Sequence, residues 1–186
     1  MTLSDLLPPT YRQMLTALSG WLAKAKDQSD DPDALAAARL APDMFPLATQ
    51  VRFACVQAYE GIYRLRHEPL PEVAEAVLNE GRSGGEKPGT LAEAIDRIEE
   101  TLRTIEAEGG TAMDEGAGKP LELALPMGLT FDLDGDGYAR DWALPQFYFH
   151  VSMAYAILRK EGIEIGKADF VPHMFAYLRP GTGPAR

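Results

Sequence analysis

Pro145-Gln-Phe-Tyr-Phe-His150-Val-Ser-Met-Ala-Tyr155-Ala-Ile-Leu-Arg-Lys-Glu161, followed by Gly162-Ile-Glu-Ile-Gly166-Lys-Ala-Asp169-Phe170, decides the fold. The stretch predicts a helix from about Pro145, because a proline loses nothing in a first turn whose N–H groups lack partners. Gly162 suits the left-handed position that closes such a helix. Nearly every residue between these marks is apolar or aromatic. A helix apolar on all sides must be buried on most of them, and this run is too short to cross a bilayer. It is therefore the centre of a soluble domain, a seam between subunits, or both.

Three further long helices are expected upstream. Tyr11, Leu15, Leu18, Leu22 and Ala25 form one apolar stripe, with Ser4 as an early cap. Pro8 and Pro9 argue for a kink or a late start. Asp33 can cap a short helix to Leu40, and Asp43 a second long one whose stripe is Leu47, Val51, Ala54, Ala58, Ile62 and Leu65. Gln50 and Gln57 lie at the border of that stripe. His67 to Gly89, rich in proline and glycine, reads as a long mobile connection with one helical turn near Val73 to Leu78. Thr90 and Glu93 form a capping box ahead of a stripe of Leu91, Ile95, Ile98, Leu102 and Ile105.

Period-two alternation in Leu121/Leu123/Leu125 and Leu129/Phe131/Leu133 predicts a hairpin turned by Pro126-Met-Gly128. Asp134-Gly-Asp-Gly137 reads as the turn of a second hairpin, leading into Tyr138 to Asp141. The Asp/Gly-rich run 132–137 copies the first half of a calcium loop. Ala143 stands where the bidentate glutamate belongs, so a turn explains it better. The expected fold is all-α: one domain over residues 1–186, an antiparallel four-helix bundle with a long second-to-third connection and a small hairpin before the last long helix. Residues 180–186 should fray.

A net charge of −10 and a pI near 4.8 argue against nucleic acid and anionic membranes as partners. One cysteine, Cys55, excludes an intrachain disulfide and a thiolate cluster. The start, Met1-Thr-Leu-Ser-Asp, has no basic region ahead of an apolar core, so a cytoplasmic location is expected.

Arg39-Leu-Ala-Pro-Asp-Met-Phe-Pro46, Phe147-Tyr-Phe-His150-Val, Ala154-Tyr-Ala-Ile-Leu158 and Ile165-Gly-Lys together resemble a family of about this length with no assigned reaction. That family is similar to the DinB/YfiT-like superfamily of four-helix-bundle metalloenzymes. The resemblance implies the bundle and a homodimer. It also implies a divalent metal on three histidines, one from the second helix and two from the fourth, with transfer to low-molecular-weight thiols in some members. Here only His150 lies in a long helix. Its neighbours at i+3 and i+4 are Met153 and Ala154, and the second helix carries no histidine, so no metal and no cofactor are expected.

His150 reads either as a buried neutral histidine bonded to a carbonyl, Asp43 or Gln50, or as a general base or ligand anchor. Tyr148, Ser152, Tyr155 and Arg159 share one helical line, as a surface or interface ridge or as a pocket wall. The binding candidates are therefore His150, Asp43, Gln50, Tyr148 and Tyr155. The expectation is a dimeric small-ligand-binding or vestigial protein. The alternative is a metal-independent or thiol-dependent transferase or hydrolase using His150. The face around Phe147, Tyr148 and Tyr155, then Phe53 and Val56, is the expected dimer seam.

Overall fold

The computed structural model describes residues 1–182; residues 183–186, where fraying is expected, lie outside the described residues. In chain order the helices are α1 (Leu3–Gln28), α2 (Leu47–Leu65), α3 (Glu72–Ser83) and α4 (Leu91–Glu108). The hairpin strands β1 (Pro120–Ala124) and β2 (Thr130–Asp134) follow, then α5 (Gly135–Tyr138), α6 (Leu144–Lys160) and α7 (Lys167–Phe170). The core lies among α1, α2, α4 and α6, and the stripes Leu15/Leu18/Leu22, Val51/Ala54/Ala58 and Val151/Ala154/Leu158 are all buried in it.

Cross-helix contacts set the directions. Arg52 of α2 and Arg97 of α4 both bond Glu80, while Arg66 after the end of α2 bonds Glu108 at the end of α4, so these two helices run together. Tyr11 packs on Phe147 and Trp21 on Tyr155, so α1 and α6 also run together. His150 meets Gln50 and Tyr138 lies by Glu60 and Arg64, so α6 runs against α2. Two successive core helices pointing the same way need a return passage, and α3 supplies it along the outside of α2.

That helix corrects the expectation of a mobile loop with a single turn. Pro71 occupies the N-cap position, Glu72 and Glu75 sit at the positive helix end, and Ala74 and Val77 are buried. Gly81 makes the docking feasible: a Cβ there would stand 2.5 Å from the Phe53 ring. The glycine is a site of close approach, not of flexibility.

Several helix starts also differ from the sequence reading. Thr2, not Ser4, caps α1 in a box with Asp5; Ser4 instead bonds Asp114. Pro8 and Pro9 lie inside α1, whose packing on the core outweighs the missing donors. Asp33 opens a short 3₁₀ turn, Asp33–Ala37, and its carboxylate accepts the Leu91 N–H at the start of α4. Asp43 caps nothing; α2 begins after Pro46 without a side-chain cap. The Thr90/Glu93 box forms as read. The face of α4 that buries is Leu91, Ala94, Ile98, Thr101 and Ile105, with Ile95 and Leu102 at its edge.

The hairpin pairs Leu123 with Phe131 and turns through Gly128 at φ 82°. No second hairpin follows. Asp134 accepts the Gly137 N–H at 2.6 Å and so caps α5. A Cβ on Gly135 would stand 2.2 Å from the Gly116 carbonyl oxygen, so only glycine lets this helix start so close to the preceding chain. A π-helical segment, Ala139–Ala143, joins α5 to α6, and the Leu144 N–H reaches back to Ala139. The central helical run thus starts ten residues before Pro145. Proline sits inside it because the π register has already displaced the regular hydrogen bonds at that point.

Candidate functional site

Along α2, residues 50, 53, 57, 60 and 64 recur at helical spacing and share one face. Opposite them α6 and the π segment present Trp142, Gln146, Phe149 and His150. The hairpin supplies Leu123 to Met127 on one side, and Leu70, Leu78 and Arg82 close the other. Between these walls runs a groove of about 700 Å³, ending at Asp43, Met44 and Phe45. Its walls are largely apolar, as binding sites for small organic molecules are.

His150 is the buried titratable group of this groove, 7% exposed. Its Nδ1 lies 2.9 Å from Gln50 Oε1, and the Gln50 amide nitrogen donates to the Phe45 carbonyl at 3.3 Å. With its N–H₂ group committed, Gln50 offers an acceptor, so Nδ1 carries the proton. Burial pushes the imidazole pKa down to about 4. The ring is neutral near neutral pH, with its Nε2 lone pair unused. Nε2 has no hydrogen-bond partner among the described residues and is not among the enclosed unpartnered atoms, so the groove reaches it.

The other end is more polar. Glu60 pairs with Arg64 at 2.9 Å and accepts from the Gln57 amide at 3.2 Å. Gln57 Oε1, Trp142 Nε1 and Arg64 Nε are enclosed there without a partner, as are the nearby hydroxyls of Tyr11 and Tyr138. Burial, with Glu60 adding to it, pushes the Tyr138 phenol well above its usual range. Glu60 and Arg64 cancel in charge, which leaves the groove floor polar and neutral.

Of the expected site residues, His150 and Gln50 are bonded, and Asp43 stands at the groove end, exposed and with no bond to His150. Tyr148 and Tyr155 do not line the groove. Tyr155 packs against Trp21 and Phe170, and Tyr148 faces outward, 40% exposed. Phe147 and Val56 are buried within their own bundle, so they cannot form a dimer seam. The central helix finds more cover inside one chain than its composition implies, because Phe170 of α7 packs on Tyr155 and the segment after Gly162 bonds Tyr155 and Arg159. Gln57, Glu60, Arg64, Trp142 and Gln146 also line the groove and are not among the expected site residues. Gln57 at the stripe's border and Gln146 one turn before His150 are the sequence signals for them.

A three-histidine metal centre does not fit these residues. His150 is the one histidine on the groove, and its Nδ1 is already engaged. Among the described residues no three His, Cys, Asp or Glu side chains converge on a point. Cys55 is no nucleophile either: it is buried, and burial pushes its thiol up to about 12. No helix among the described residues is long and apolar enough to cross a membrane.

Residues 3–171 match the family described as Domain of unknown function (DUF1993). Among solved structures the chain is similar to a DinB family member protein from Shewanella denitrificans. The two are 30% identical with a TM-score of 0.71, and the match covers 99% of this chain and 94% of that one. No curated protein matches.

Proposed function

The chain belongs to the DUF1993 family and has a DinB-like fold, and from that premise we propose that it is a binding protein for a small amphipathic molecule held in the groove between α2 and α6. The observation that carries this reading is His150: an accessible, neutral acceptor on an otherwise apolar wall, locked in one tautomer by Gln50. Polar groups of this kind fix a ligand's orientation while apolar walls supply affinity. Catalysis by the same imidazole is disfavoured on physical grounds. A conjugate acid of pKa about 4 makes a weak general base at neutral pH, Asp43 does not orient it, and no nucleophile stands beside it. The reading therefore assigns no metal and no thiol-transfer role.

The test is to fill the groove. Ala124→Trp places a large ring at its hairpin wall without touching the core. Screening small amphipathic compounds by NMR should shift resonances of Gln50, Phe53, Phe149 and His150 in the native protein and leave them unmoved in the variant. Hits that shift other surfaces equally in both proteins would remove the proposal.

A homodimer and a cytoplasmic location belong to the same proposal. For the dimer, the support is an exposed apolar run on the segment after α7: Met174, Phe175, Tyr177 and Leu178, each about half exposed or more. Such a run is costly to leave in water. Light scattering should give twice the chain mass, falling to one in Phe175→Asp; a monomer at high concentration would discard it. For the location, the support is the free buried thiol of Cys55.

A further inference from the structure

We infer that the His150 end of the groove is a site for a neutral aromatic ring bearing a hydroxyl group, a phenol-like moiety; this deepens the groove-binding reading and rests on it. Four rings form a continuous chain around the site. Phe45 and Phe53 meet edge to face with centroids 5.5 Å apart, Phe53 and His150 at 5.3 Å, and Phe149 and His150 at 5.3 Å. The chain curves from the groove end to α6, and its two terminal rings, Phe45 and Phe149, remain about half exposed. Every internal pair is already matched, so these two terminal rings are what an incoming ring can pack against. Aromatic pairs favour such offset or edge-to-face packing over simple apolar contact.

The polar requirement is equally specific. His150 Nε2 is an acceptor within this chain of rings, with Nδ1–H spent on Gln50. A ligand must therefore bring a donor. Charge decides between donors and non-donors. A carboxylate would be set against the negative faces of the rings, beside an acceptor that repels it. Of the groove's two cations, Arg64 is committed to Glu60, and Arg82, on the wall with Leu70 and Leu78, is exposed to water and screened. An ammonium would lose much of its hydration against apolar walls. The carboxylate at that end, Asp43, is exposed to water and screened. A neutral hydroxyl on a ring meets both demands, since it donates one bond and gives up little hydration.

The experiment compares four probes of nearly one shape: para-cresol, para-xylene, para-toluate and para-methylbenzylammonium. Each is titrated into the full chain and followed by NMR. Para-cresol should bind about tenfold tighter than para-xylene, one hydrogen bond's worth. The two charged probes should bind more weakly than para-cresol. In the native protein, para-cresol should move the His150 Nε2 nitrogen resonance and leave Nδ1 nearly still. In His150→Phe, which keeps a flat ring, the preference for para-cresol should vanish while para-xylene still binds, which also reports an intact groove. Phe149→Ala should weaken both neutral probes and leave their ratio unchanged. If para-cresol and para-xylene bind alike, or a charged probe binds best, the inference falls while the groove reading stands. If none of the four binds in the groove, both fall. Should His150→Phe fail to fold, the nitrogen resonances of the native protein decide alone.

Discussion

His150 should make the protein's stability fall measurably as the pH drops from about 7.5 to about 5, before most carboxylates titrate. Burial pushes its folded pKa from 6.5 down to about 4. The unfolded chain therefore takes up a proton first, and acid favours unfolding across the window between those two values. Stability is full above about pH 6.5 and is lost as the pH falls toward the folded pKa. With the two values given, the loss at pH 5 is about 2 kcal/mol, rising to about 3 kcal/mol near pH 4. The ring is only 7% exposed, so little discount for solvent is due. Urea denaturation at both pH values gives the total change. The His150→Gln variant isolates the histidine's share, because its amide can still donate to Gln50 but cannot titrate. The native protein should lose about 2 kcal/mol more than the variant. Parallel losses, within about 0.5 kcal/mol, would show that the imidazole charges freely in the fold and would refute its assignment as a buried neutral acceptor.

Ile98→Ala, in the buried stripe of α4, should cost on the order of 2–5 kcal/mol in denaturant unfolding; under about 0.5 kcal/mol would mean that stripe is not core. Gly81→Ala should force α3 away from Phe53, costing about 1–3 kcal/mol and raising amide exchange in α3 more than in α4. Asp134→Ala removes the α5 cap and should cost about 1 kcal/mol; no loss would mean the helix start is fixed by Gly135 packing alone. Gln50→Ala should free His150 to exchange tautomers, visible as a second imidazole nitrogen environment.

The bundle was legible because its signals are local. The stripes of α1, α2 and α6 buried as periodicity demands, and the Thr90/Glu93 box marks the start of α4. The errors fall where a long-range contact decides. Nothing local says that Gly81 will meet Phe53, so the sequence of α3 by itself reads as loop. Asp43 and Ser4 had the chemistry of caps. Asp114 reaches Ser4 from 110 residues away, and Pro46 ends the extended chain where α2 begins.

The site was half legible for the same reason. A lone histidine in an apolar helix needs a polar partner from outside that helix, and Gln50, on a facing helix, was readable as one. Tyr148 and Tyr155 share the helix of His150 but not its face. A regular helix turns 100° per residue, so residues two before and five after His150 leave its face. What no periodicity could show is the groove itself. It exists because α3, docked along α2, and the hairpin raise walls on either side of the α2–α6 seam. The π segment then turns Trp142 toward the groove and keeps Tyr138 in the core four residues earlier. Two connections, those a sequence resolves least, thus decide where the regular helices leave the groove open.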